Sequence, residues 1–129
     1  EQFEARLVQV RIEPSPSILF AGMAGSSMPI VNSHGEGRVL WERPTDAERA
    51  CVAARYVDSS GEPTELYPLN PNGSAGGVTS VTSEDGRATI IMPHPERSHR
   101  TVQLSWAPQG AGEFSPWMRL FENARVWVG

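Results

Sequence analysis

Proline and glycine leave this chain little room for long helices. Its 129 residues hold twelve glycines and eleven prolines, spread from Pro14 to Gly129. Proline fixes φ and lacks a backbone donor, while glycine favours turns. Such density argues against a helical bundle and suits short strands joined by many turns.

The hydrophobic pattern agrees. Val8, Val10 and Ile12 alternate with polar residues, so 5–12 reads as a half-buried strand, stopped by Pro14 and Pro16. Residues 28–33 and 38–42 read as two more short strands, with His34-Gly35-Glu36-Gly37 between them. Thr45-Asp46-Ala47-Glu48 has capping-box spacing and predicts a short helix over 46–50. Residues 52–57 form another strand, 65–69 extend again, and 70–77 are a turn-rich loop. Residues 78–82 and 87–92 make a hairpin around Asp85-Gly86. The clearest helix follows Ser115-Pro116, an N-cap and a first-turn proline. On it Trp117, Leu120, Phe121, Ala124, Trp127 and Val128 share a face and predict core packing.

Composition narrows the class. Apolar residues reach 39% and charged residues 20%, which suits one globular domain. The net charge of −4 gives nothing to hold a polyanion, so nucleic-acid binding is not expected. No apolar run approaches a membrane span, and none is expected. The single cysteine, Cys51, rules out an internal disulfide framework and suits a reducing cytoplasm.

The chemistry concentrates in Met92-Pro93-His94-Pro95-Glu96-Arg97, just after an apolar strand. Prolines on both sides restrict His94, and in extended backbone residues i and i+2 point the same way. His94 and Glu96 would then project together, as a base and the carboxylate that orients it. On these residues alone, a plain surface His-Glu pair fits equally well. A β-rich interaction module without catalysis also remains open. The three histidines match no zinc spacing, so no metal is expected. Cys51 lacks flanking glycines and reads as an inert thiol, not a partner of His94. Asn72-Gly73-Ser74 reads as a structural turn, because a nucleophile elbow needs glycine where Asn72 stands.

Taken in order, several segments carry a resemblance. They are Ser33-His34-Gly35-Glu36-Gly37-Arg38, Arg55-Tyr56-Val57-Asp58, Asn70-Pro71-Asn72-Gly73-Ser74 and the His94 motif. Ser115-Pro116-Trp117-Met118-Arg119-Leu120-Phe121 and the residues to Arg125 close the series, and Glu1-Gln2-Phe3-Glu4 fits its opening. Over nearly all of its length the chain resembles the C-terminal end of the large single-chain phosphoribosylformylglycinamidine synthases. His-Pro-Glu alone would indicate only a class I glutamine amidotransferase.

The resemblance implies an α/β fold: the C-terminal half of a flavodoxin-like glutamine amidotransferase domain, strand-rich with a C-terminal helix. Residues 1–129 would then be a partial domain lacking the nucleophile-bearing N-terminal half. It implies an ATP-consuming carbon-nitrogen ligase that takes ammonia from glutamine for purine biosynthesis. His94 would be the base and acid, and Glu96 its orienter. Ser33, His34 and Gly35 match a loop near the glutamine pocket, and Glu36 and Arg38 suit an interface. The family's Cys-Asn-Gly-Cys turn is not in this sequence. The chain alone is therefore expected to be inactive, with no cofactor of its own. ATP and magnesium would belong to the synthetase part of the parent, whose domains are the implied partners. The location implied is cytoplasmic. A sheet edge left free by the missing half would favour pairing with a second copy.

Overall fold

The computed structural model describes residues 2–129. The chain forms β1 (Glu4–Ile12), β2 (Ser27–His34), α1 (Pro44–Arg49), β3 (Cys51–Tyr56), β4 (Val78–Thr82), β5 (Thr89–Ile91) and α2 (Met118–Val128). The five strands make one sheet in the order β2-β1-β3-β4-β5, antiparallel at every pairing. The architecture is strand-rich with a C-terminal helix, as expected.

Alternation places Val8, Val10 and Ile12 of β1 on the inner face. Met28 and Ile30 of β2 stand across from Val10 and Val8, and Tyr56 of β3 stands opposite Val10. Phe20, Met23, Trp117 and Leu120 cover this apolar surface, with the Phe20 and Trp117 rings edge-to-face at 6.5 Å. Burial of aromatics this large is the main apolar contribution to the core.

The sheet curls. Just past β5, Met92 N–H still donates to Thr79 O on β4 (3.1 Å). Two residues later His94 N–H donates to Val31 O on β2, at the opposite edge (2.9 Å). The two edges therefore meet at 92–94. The outer edge of β2 is covered residue by residue. Trp117 Nε1 donates to Pro29 O at 2.6 Å, Val31 N–H donates to Ser98 Oγ at 3.0 Å, and the His94 ring reaches Ser33 O at 3.1 Å. Pairing with a second copy would have to use β5, which is three residues long.

The β4–β5 turn is fixed by glycine. Gly86 has φ 72°, and a Cβ there would lie 1.9 Å from Pro16 O. Its carbonyl accepts from Ile18 N–H (3.0 Å), which straps the loop after β1 to the hairpin.

Several expectations need correction. Residues 38–42 are not a strand: Val39 N–H is taken by the Ser74 hydroxyl at 3.0 Å, not by a neighbouring strand. Residues 65–69 do not extend, because Asn70 N–H turns back to Leu66 O (2.9 Å). The first helix starts earlier, at Pro44, and its cap is the Asp46 carboxylate accepting from Arg43 N–H. Proline preset for the first turn outweighs the Thr45 signal. The last helix begins at Met118, behind a tight turn in which Ser115 Oγ accepts from Trp117 N–H (3.2 Å). Its apolar stripe is core only at the start. Trp117 and Leu120 are buried, whereas Trp127 and Val128 are 61% and 75% exposed.

Candidate active site

His94 is held from three sides. Its backbone donates to Val31 O on β2, its Nδ1 lies 2.7 Å from Glu96 Oε1, and its Nε2 lies 3.1 Å from Ser33 O. The reason for the His-Glu pairing differs from the extended segment expected. Pro95–Arg97 form one turn of 3₁₀ helix, with His94 extended before it. Proline at the first position starts that turn, and the turn folds Glu96 back onto the ring. Ser98 closes it, with Oγ donating to His94 O at 3.0 Å while accepting from Val31 N–H.

Both nitrogens of the His94 ring face oxygen acceptors. A neutral imidazole has one N–H and serves one of them; the doubly protonated ring serves both. Burial pushes the Glu96 carboxyl upward, but the hydrogen bond with His94, one with its own backbone and the nearby charge together hold that carboxyl below its usual range. Arg97, at 3.9 Å, adds a weaker pull. The arrangement can therefore fix the ring's orientation.

The 33–37 loop closes beside it. Ser33 contributes its backbone oxygen. The His34 ring lies 6.3 Å from the His94 ring, centre to centre. Its basicity is lowered, first by burial and then by His94. Gly37 packs directly on this ring: a Cβ there would sit 2.1 Å from His34 Cε1. Gly35 and Gly37 border a depression of about 200 Å³ with Arg38, Pro71 and Asn72. A larger groove of about 570 Å³, lined by Met28, Leu104, Trp106 and Phe114, holds none of the expected site residues.

The remaining candidates fall elsewhere. Cys51 opens β3, is half-buried, and pairs with Thr82. Thr82 pairs in turn with Thr89 of β5, several residues before His94, so Cys51 and His94 stand at different levels of the sheet. Cys51 is no partner of His94. Ser74 is fully buried and bonded to Val39 and Asn70, so the turn there is structural. His99 bonds to Glu96 O and packs edge-on to Phe121, away from the other two histidines. Among the described residues, no three His, Cys, Asp or Glu side chains are placed to hold a metal ion.

Sequence reasoning did not single out Tyr56, Asn32 or Asn72. The Tyr56 hydroxyl reaches the side-chain oxygens of both Asn32 and Asn72, and Asn72 in turn reaches the His34 ring. Asn70-Pro71-Asn72-Gly73 reads as a turn, and a turn it is; nothing in its pattern says that Asn72 faces inward. His94 and Glu96 sit in direct contact, and the Glu96 side chain is itself exposed.

The chain has counterparts among known proteins. The profile of the CobB/CobQ-like glutamine amidotransferase domain matches residues 1–128. Among solved structures, the chain is similar to one in the structure of PurLQS from Thermotoga maritima, with TM-score 0.69 and 21% sequence identity. That match covers 99% of this chain and 49% of the other, so the chain spans about half the length of its counterpart. No helix among the described residues is long and apolar enough to cross a membrane. With nearly its whole length matched by the one profile, the chain belongs to the CobB/CobQ-like glutamine amidotransferase family.

Proposed function

We propose that this chain carries the base and orienter of a glutaminase site, within a phosphoribosylformylglycinamidine synthase. The observation that carries the reading is the 2.7 Å contact between His94 Nδ1 and Glu96, which leaves proton transfer to Nε2, the nitrogen that in this chain faces Ser33 O at 3.1 Å. The family membership and the likeness to a chain of a PurLQS structure support the enzyme class. Ser33, His34 and Gly35 serve as the loop on the glutamine side.

The nucleophile is a cysteine thiolate on a segment outside these residues. It attacks the carboxamide carbon of glutamine. His94 Nε2 gives a proton to the departing nitrogen, and ammonia leaves a thioester behind. His94 then takes a proton from water as the water attacks the thioester, releasing glutamate and regenerating the thiolate. Glu96 keeps Nδ1 protonated and the ring fixed through both steps. Ammonia passes to the synthetase domains, where ATP and magnesium activate the formylglycinamide ribonucleotide amide for conversion to the amidine. The enzyme works in the cytoplasm, and this chain holds no cofactor of its own.

The test is His94→Ala in the complete synthase. Glutamine-dependent turnover should fall by about a thousandfold or more, the scale of losing a catalytic base. Turnover with ammonium salts should persist. Full glutamine use by the variant would overturn the assignment. The 129-residue chain alone should release no ammonia from glutamine; release that Cys51→Ser abolishes would also overturn it.

A further inference from the structure

The inner face of β2 changes character along its length. Met28 and Ile30 meet the apolar core, but Asn32 and His34, on the same face, do not. Asn32 is fully buried, with Oδ1 accepting from the Tyr56 hydroxyl at 3.2 Å. Tyr56 is also fully buried, and burial pushes its hydroxyl up to about 12, so it remains a donor. Its single proton is shared with Asn72 Oδ1, 3.1 Å away. An amide whose oxygen faces Tyr56 must turn its nitrogen elsewhere. Asn72 Nδ2 points at His34 Nδ1, at 3.4 Å.

The direction of this chain has a chemical consequence. A carboxamide nitrogen only donates, so the His34 nitrogen that meets it must accept. The ring proton is then on Nε2. That atom is buried and has no partner among the described residues. A smaller pull from the Glu36 backbone favours the protonated ring, against the larger effects of burial and His94.

We infer that Tyr56 and Asn72 are positioning residues that hold His34 as its Nε2–H tautomer, making it a neutral donor beside His94 and not a second base. Tyr56 sets the orientation of Asn72, and Asn72 sets the tautomer of His34. The inference deepens the glutaminase reading, on which its functional meaning rests, but its structural content is tested separately.

The experiment is ¹⁵N NMR of the ring nitrogens in the 129-residue chain with histidine-selective labelling, in mildly alkaline buffer. In the unsubstituted chain, His34 Nδ1 should show the shift of an unprotonated nitrogen and Nε2 that of a protonated one. Asn72→Asp offers Nδ1 an acceptor, so the two assignments should exchange. Tyr56→Phe frees the Asn72 amide to rotate, so the tautomers should mix. A protonated Nδ1 in the unsubstituted chain would overturn the inference. So would unmoved His34 signals in Asn72→Asp with native amide dispersion. If Asn72→Asp does not fold, the unsubstituted chain and Tyr56→Phe still decide. Failure of the glutaminase reading would appear in the His94→Ala assay and would leave the tautomer result standing.

Discussion

The two ends of the sheet's inner face do different work. At the Met28–Ile30 end, β2 meets Trp117, Phe20 and Leu120, and every side chain is apolar except for the Trp117 N–H, which is satisfied by Pro29 O. At the Asn32–His34 end the packing is polar, directional and incompletely satisfied: Asn32 Nδ2, Thr79 Oγ1 and His34 Nε2 are buried without hydrogen-bond partners among the described residues. An unpaired buried polar atom costs about 1–3 kcal/mol. A core that only needed stability would not place three of them together. The apolar end holds the sheet curled; the polar end orients groups behind the His94 motif.

The strongest way to break the comparison is at the apolar end. Trp117→Ala removes the largest fully buried side chain and the bond to Pro29 O. The expected loss is roughly 3–5 kcal/mol in a urea titration. Because Trp117 and His94 cap the same strand edge, the His94 and Glu96 resonances should move as well. A stable variant with unmoved resonances would mean that the two ends are independent.

Gly37→Ala tests the polar end. The new Cβ would overlap the His34 ring, so ring or loop must shift. Overpacking of this kind costs roughly 1–3 kcal/mol. Its diagnostic effect is local: the His34 ring signals should change while those around Trp117 stay. A crystal structure of the variant with the His34 ring unmoved would remove the reason given for glycine at this position.

How much of this was legible in the sequence follows the same division. Period-2 alternation places β1 and β2 correctly, because burial on one face leaves a record in residue type. The contact between His94 and Glu96 was foreseen, though for the wrong backbone reason. Proline flanks signal restriction but do not say whether the chain continues extended or turns once. The strands expected at 38–42 and 65–69 failed because their backbone groups are satisfied by Ser74 and by a local turn, partners set by distant packing. Asn72 and Tyr56 were invisible for a related reason. A polar residue in a turn looks the same whether it faces water or a buried histidine.

A smaller effect separates the two ends by pH. The His34 ring is disfavoured as a cation in the fold, chiefly by burial. In the unfolded chain it takes up a proton at about pH 6.5, the ordinary value. Its contribution to stability is therefore complete above that value, and is lost as pH falls from there through the lower folded value. Urea midpoints should decline across this window, and His34→Gln should flatten the decline. Trp117→Phe should leave the slope in place. An unchanged slope in His34→Gln would assign the effect to another group.

The smallest effect concerns α2, where one helix repeats the contrast between a packed and an unpacked end. Helical spacing put Trp117, Leu120, Phe121, Trp127 and Val128 on one stripe, and the same pattern in most helices would mean one buried face. Here the helix is attached at its start by Trp117 and at its middle by Asn123, whose amide donates to Leu19 O and Ala21 O at 2.8 and 2.9 Å. Beyond Asn123, Val126, Trp127 and Val128 are mostly exposed. Trp127→Ser should change stability by no more than about 0.5 kcal/mol, the usual range for an exposed position. The same substitution chemistry at Trp117 should be severalfold more costly. A loss above 1 kcal/mol for Trp127→Ser would show that the far end of α2 is packed in solution. The contrast would then lie in what the helix packs against, and not in whether it packs.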